Sequence, residues 1–248
     1  MTSSAVPVAM IARTADVDVV APLSGLEAVR RLSLRRAADR DDYTAAHALV
    51  RACAARLVTA ATGAPPDASR LVLTHRCPGC GSEEHGVPRI DGISGLHVSL
   101  SRSDGVVAAV AGWEPVGIDV QAVQALGAVG ADAATAPTAA RLVAMALSPA
   151  EQALVAAHEA PEVAFARLWV RKEALLKVGV GTLDALAGLE VSHGPAPGRH
   201  GAWTFTGWED GTHVAAVAAH GEVRLTVHDD TPAARDTPDA QAPREVYH

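Results

Sequence analysis

Apolar positions follow two periods along this chain, and the changes between them mark its elements. From residue 26 to residue 62 the spacing is helical. It predicts helices over 26–38 and 42–62, the second with Val50, Cys53, Ala54 and Leu57 on one stripe. Gly63-Ala64-Pro65-Pro66 ends that run. Residues 1–12 read as a leading strand or loop, and 71–74 as a short strand before the turn-rich Cys77-Pro78-Gly79-Cys80-Gly81. Alternation over 97–101, the turn signal Ser103-Asp104-Gly105 and the apolar run 106–112 predict a hairpin. A strand at 116–120 and an Ala/Gly-rich linker at about 122–138 come next. Helices are predicted at 139–147, 149–159 and 162–178, then strands at 185–191, 202–206, 213–219 and 222–227. Residues 229–248, with five acidic residues and three prolines, predict a disordered tail.

One internal echo changes this picture. Ser103-Asp104-Gly105-Val106-Val107-Ala108-Ala109-Val110-Ala111 resembles Glu209-Asp210-Gly211-Thr212-His213-Val214-Ala215-Ala216-Val217-Ala218, each a turn followed by an Ala/Val strand. The echo is compatible with a duplicated fold. At 248 residues and 49% apolar, the chain can bury a core as one large domain or two small ones. The composition excludes collagen, a disulfide scaffold and disorder over most of the length. No apolar run reaches the roughly 18 residues of a membrane span. Asp16 and Asp18 follow a start without a basic region, so no secretory signal is read there. Cys53, Cys77 and Cys80 point to a reducing, cytoplasmic setting. The net charge of −7 argues against a general nucleic-acid binder.

The 21 basic residues are unevenly distributed. Only two are lysines, Lys172 and Lys177, both inside Trp169-Val170-Arg171-Lys172-Glu173-Ala174-Leu175-Leu176-Lys177. Ammonium and guanidinium groups are not equivalent at a tight phosphate or metal site, so this segment stands out. Arg30, Arg31, Arg35, Arg36, Arg40, Arg51 and Arg56 crowd the first helical stretch, with Asp39, Asp41 and Asp42 interrupting them. That cluster reads either as a solvated face or as a phosphate-holding one.

Carboxylates in apolar surroundings supply candidate chemistry. Gly117-Ile118-Asp119-Val120-Gln121 is a strand whose period of two sets Asp119 and Gln121 on one face. A carboxylate there must be hydrogen-bonded, paired or coordinated to a cation. Glu173 and Lys177 lie four apart on the helix, in the order of an ordinary surface pair and equally of a site. Lys172 intrudes on the apolar stripe of that helix, which places its stem in the core and its ammonium at a polar site. Ser148-Pro149-Ala150-Glu151 has the form of a capping box. Cys77 and Cys80, near His75 and His85, offer half a zinc ligand set at most.

Taken in order, His97-Val98-Ser99-Leu100-Ser101-Arg102-Ser103, Gly117-Ile118-Asp119-Val120 and the Trp169 to Lys177 block resemble the surfactin-type 4′-phosphopantetheinyl transferase family. Asp39-Arg40, Ala46-His47-Ala48-Leu49-Val50-Arg51 and His85-Gly86-Val87-Pro88 resemble further segments of it. The resemblance implies an α+β, pseudo-two-fold duplicated fold of two similar halves, each a small sheet packed on helices. The halves would be residues 1–112 and 113–228, the second carrying the metal and lysine motifs. It further implies transfer of the 4′-phosphopantetheine arm of coenzyme A to a serine of an apo acyl or peptidyl carrier protein. The reaction would need Mg²⁺, release adenosine 3′,5′-bisphosphate and serve natural-product or lipid synthesis. The alternative is a non-catalytic coenzyme A- or nucleotide-binding protein.

Carried over by position, the resemblance makes Asp119, Gln121 and Glu173 the metal residues and Glu173, Lys177 and Asp119 the catalytic ones. Arg36, Arg40, Ser101, Arg102, Lys172 and Lys177 would hold coenzyme A, Ser101 and Arg102 at its 3′-phosphate end. Glu151 would lie near the metal. The chain departs from the family pattern in having Arg102 for a frequent His, Gln121 for a frequent Glu, and Val87 for a basic residue, with Arg89 as a displaced substitute. A monomer acting without nucleic acid or membrane is expected.

Overall fold

The computed structural model describes residues 5–20, 23–67, 70–77, 79–83, 86–127, 137–191, 199–228 and 246–247. Strand β1 (Val8–Arg13) leads into helix α1 (Gly25–Ser33) and the long helix α2 (Ala37–Thr62). Two hairpins follow, β2 (Leu73–Arg76) with β3 (Val87–Ile90), and β4 (His97–Ser103) with β5 (Val106–Gly112). Strand β6 (Gly117–Ala122) then precedes α3 (Pro137–Ala146), α4 (Pro149–Ala157) and the second long helix, α5 (Pro161–Lys177). The chain ends with β7 (Arg199–His200), the hairpin β8 (Trp203–Glu209) and β9 (His213–Ala219), β10 (Arg224–His228) and β11 (Val246–Tyr247).

The duplication is legible in the topology. Upstream, β1 pairs antiparallel with β5, and β5 with β4. Downstream, β6 pairs antiparallel with β9, and β9 with β8. Each half is therefore a strand, a long helix and a hairpin whose second strand returns to the first. Both hairpins turn at an Asp-Gly pair, the second through a longer loop. Asp104 and Gly105 both have positive φ (42° and 80°), and Gly211 has φ 85°, conformations that an Asp-Gly pair adopts at low cost. Strand β10 breaks the symmetry. It crosses back to lie parallel beside β1, completing the order β10-β1-β5-β4.

The sheets stack face to face with the helices outside. Ala9, Ile11, Val106, Ala108 and Val110 from one sheet meet Ile118, Val120, Ala215 and Val217 from the other. The alternate residues point the opposite way. Val8, Met10, Val107 and Ala109 pack under Leu49, Val50, Cys53 and Leu57 of α2, and Val214, Ala216 and Ala218 pack under α5. Strands buried on both faces must be apolar throughout, which explains the uninterrupted Ala/Val runs of β5 and β9. The fold is α+β, with sheets packed on helices.

One device occurs in both halves. Ser24 and Glu27 form a capping box at the start of α1, as do Ser148 and Glu151 at the start of α4. Each glutamate also pairs with a cation on the neighbouring long helix. Arg51 Nη2 donates to both Glu27 oxygens (2.8 and 2.6 Å), and Lys172 Nζ donates to Glu151 Oε2 (2.6 Å). All four side chains are buried.

The elements differ from the sequence expectations in several places. Helix 26–38 stops at Ser33, and Arg40 Nη1 donates to the carbonyls of Leu34 and Arg35 at the break. The strand expected at 185–191 is a 3₁₀ helix, Leu183–Gly188, whose Leu186 fills the core beside α5. Strand β3 was not expected; it contains Pro88 and pairs with β2 alone in a two-stranded sheet. Of the expected linker, 122–127 is the end of β6 and a 3₁₀ turn, while 128–136 lie outside the described residues. The expected tail also lies outside them, except that Val246 and Tyr247 pair with Trp208 and Gly207.

Candidate active site

The site is set by a close approach of two backbones. A Cβ at Gly117 would lie 2.1 Å from the carbonyl oxygen of Ala174, so only glycine lets β6 sit this close to the last turns of α5. Pleating sends Ile118 and Val120 between the sheets and Asp119 toward α5. Lys177, in the last turn of α5 where a cation complements the helix dipole, reaches back. Its ammonium donates to the carbonyls of Ile118 (2.8 Å) and Leu100 (3.3 Å) and to Asp119 Oδ1 (2.8 Å). It thus joins β6 to β4 at the seam between the halves.

Glu173, one turn before Lys177, completes the group. Burial raises its pKa, the negative charge of Asp119 raises it further, and Lys177 opposes both. A second carboxylate close enough to raise the pKa of Glu173 makes the pair a natural cradle for a cation. Gln121 lies on the same strand two residues beyond Asp119, its amide nitrogen donating to Ser103 Oγ (3.4 Å) and the Ala122 carbonyl (3.3 Å). Among the described residues no cluster of three or more His, Cys, Asp or Glu side chains is placed to hold a metal. The residues present fit an ion that takes one or two protein carboxylates and leaves its other positions to water and phosphate oxygens, as Mg²⁺ does.

Lys177 also lines a cavity of about 460 Å³, a volume in the range of small-molecule sites. Tyr43, His47, His75, Val87, Pro88, Ser101 and Arg102 are among its other walls. The Tyr43 ring stacks on His47, with centroids 4.0 Å apart, and the Arg102 guanidinium lies over the Tyr43 ring at 5.8 Å from its centroid. The Tyr43 hydroxyl is buried and has no hydrogen-bond partner among the described residues. His75 is held neutral. Arg30 Nη1 stands 2.8 Å from its Nδ1, and a guanidinium only donates, so the ring proton resides on Nε2. Burial, then the charge of Arg30, pushes the His75 pKa down to about 4. His47 Nδ1 lies 2.6 Å from Glu27 Oε1, and its pKa is also lowered, chiefly by burial.

Lys177, Ser101 and Arg102 line this cavity, Asp119 is hydrogen-bonded to the first two, and Glu173 feels the charges of Asp119 and Lys177; other expected residues lie apart from this group. Lys172 needs correction. It is fully buried, and its ammonium donates to Glu151 and to the carbonyls of Ala146 (2.7 Å) and Leu186 (3.0 Å), so no donor is left for a ligand. Glu151 is likewise occupied, accepting from Ser148 N, Val191 N and Lys172. Arg36 is exposed beside Asp39, and Arg40 caps the end of α1; neither lines the cavity. Arg89 does not line it either, although Val87 does. Cys77 and Cys80 are not joined in a disulfide. Of the cavity walls, Tyr43 and His75 went unread as ligand contacts. No local pattern marks them, because α2 and β2 meet only in the fold.

No curated protein matches the chain. Residues 115–218, just over two fifths of it, match the family model described as the 4′-phosphopantetheinyl transferase superfamily. Over the segment that carries Asp119, Glu173 and Lys177, the chain is therefore similar to transferases of the 4′-phosphopantetheinyl type.

Proposed function

We propose that this chain is a surfactin-type enzyme that moves the 4′-phosphopantetheine arm of coenzyme A onto a serine of acyl or peptidyl carrier proteins. The observation that carries the reading is the meeting of Asp119 and Glu173 at Lys177, which itself lines a cavity of ligand size. In this reading the cavity takes coenzyme A, with Arg102 contributing a guanidinium to its phosphates. Asp119 and Glu173, with Gln121 two residues along the same strand, would hold Mg²⁺. The ion supplies charge neutralisation at the pyrophosphate.

The carrier serine oxygen bonds to the phosphorus that bears the pantetheine arm, and the bridging P–O bond breaks. The electron pair leaves with adenosine 3′,5′-bisphosphate, and Lys177, whose three donors are placed on Leu100, Ile118 and Asp119, offsets the charge that develops there through space. Glu173 takes the serine proton, directly or through a water. The protein acts as a cytoplasmic monomer.

The test mixes purified protein, coenzyme A, Mg²⁺ and several apo carriers and weighs each carrier. A mass gain equal to the arm is expected. Asp119→Ala and Glu173→Ala should each lower the rate by about 10²-fold or more while circular dichroism stays unchanged. Binding of coenzyme A without carrier modification would point to the non-catalytic alternative.

A further inference from the structure

Strands β4 and β6 are edges of different sheets that meet without pairing. An edge strand leaves backbone donors open. Here serines close them. Ser99, Ser101 and Ser103 share one face of β4 by the period of two. Ser99 Oγ accepts from the N–H of Ile118 (3.2 Å), and Ser103 Oγ accepts from that of Ala122 (2.9 Å). Ser101, between them, takes no backbone donor. Its hydroxyl donates instead to Asp119 Oδ1 at 2.7 Å. Lys177 donates to the same oxygen at 2.8 Å. Both contacts fall on Oδ1, and Oδ2 accepts from no described residue.

We propose that Ser101 is a positioning residue: with Lys177 it pins Asp119 by one oxygen so that the other faces the cation, and it is not a contact to the coenzyme A 3′-phosphate. The inference rests on the proposed function for its reaction. Proton arithmetic decides between the two roles. A serine hydroxyl has one proton, and that of Ser101 lies on Asp119. A phosphate oxygen at neutral pH is an acceptor, so it cannot share this bond. Arg102, the neighbouring cavity residue, brings several donors and needs no help from Ser101 to bind an anion. Removing a hydrogen-bond partner of a metal carboxylate typically weakens metal affinity about tenfold or more.

The experiment uses the full chain with Mn²⁺ as a spin probe, titrated without coenzyme A and followed by electron paramagnetic resonance. Ser101→Ala should weaken Mn²⁺ binding about tenfold, and Ser101→Thr, which keeps the hydroxyl, should restore it to within about twofold. In transfer assays Ser101→Ala should raise the Mg²⁺ needed for half-maximal rate by a similar factor. The preference for coenzyme A over 3′-dephospho-coenzyme A should not move. Unchanged Mn²⁺ affinity in Ser101→Ala overturns the proposal, whether or not the 3′-phosphate preference collapses. Should Ser101→Ala fail to fold, Ser101→Cys, a weaker donor of similar shape, takes its place with an intermediate loss expected. A wild-type protein that modifies no carrier overturns the proposed function, while the Mn²⁺ titration still reports on Ser101.

Discussion

At the scale of single residues, the site is a set of charges held in particular protonation states by neighbours. His75 and His47 are both kept neutral, the first by burial and Arg30, the second mainly by burial. Burial alone would raise the pKa of Glu27, but hydrogen bonds from His47, Arg51 and Ser24 outweigh it and hold the group ionised. All three folded pKa values lie below the unfolded ones. In the acid range the unfolded chain therefore binds more protons, and stability falls as pH falls. Between pH 6.5 and about 4 the loss from His75 alone is at most about 3 kcal/mol, and about 1–2 for a half-buried ring screened by water. Glu173 acts with the opposite sign, its stabilising contribution being lost as pH rises through its folded value. Urea melts at several pH values should therefore show wild type losing more stability than His75→Gln below pH 6.5, since glutamine keeps an acceptor for Arg30 and does not titrate. Parallel profiles would contradict the neutral assignment.

At the scale of elements, helix α5 carries two lysines with opposite fates. Lys177 faces the seam and Lys172 faces the core, five residues and a little over one turn apart. Lys172→Met should cost about 3–5 kcal/mol by leaving Glu151 charged and underpaired in the core, and adding Glu151→Gln should recover part of that. Calorimetry on the folded single variant should find coenzyme A affinity unchanged within about twofold. A large loss of affinity would return Lys172 to the ligand site.

The same contrast shows what a sequence conveys. Asp119, Glu173 and Lys177 were legible because each lies inside a short block whose order along the chain is itself informative. Lys172 lies in the same block, yet its role depends on Glu151 and on two carbonyls brought by other elements. Ser24 and Glu27 have the spacing that made Ser148 and Glu151 readable as a cap, but Arg51, which completes that unit, is 24 positions away from Glu27. The run 185–191 illustrates a different limit. A short Leu/Ala/Gly segment fits a strand or a 3₁₀ turn equally well, and packing against α5 chose the turn.

At the scale of the molecule, the Asp-Gly echo was compatible with a duplicated fold, but nothing local foretold that β10 would return to β1. That return makes the halves interdependent. Met10 pairs with Thr226, so Thr226→Pro removes a donor and strains the junction, at a cost of about 3 kcal/mol. Because the inter-sheet core is shared, the loss should lower one common unfolding midpoint. Fluorescence of Trp113, Trp169, Trp203 and Trp208 and far-ultraviolet circular dichroism should still superimpose. Two separated transitions would show that each half folds on its own.

The return of β10 also bears on how the protein is made. A ribosome delivers Val8 long before it delivers Arg224, the residue that Val8 faces. Until then the flank of β1 stays open, a row of unmet amides on an apolar ribbon. Through most of translation the nascent chain thus presents a template for stray strands. Synthesis pace and chaperone cover would then bear on how much active protein a cell obtains.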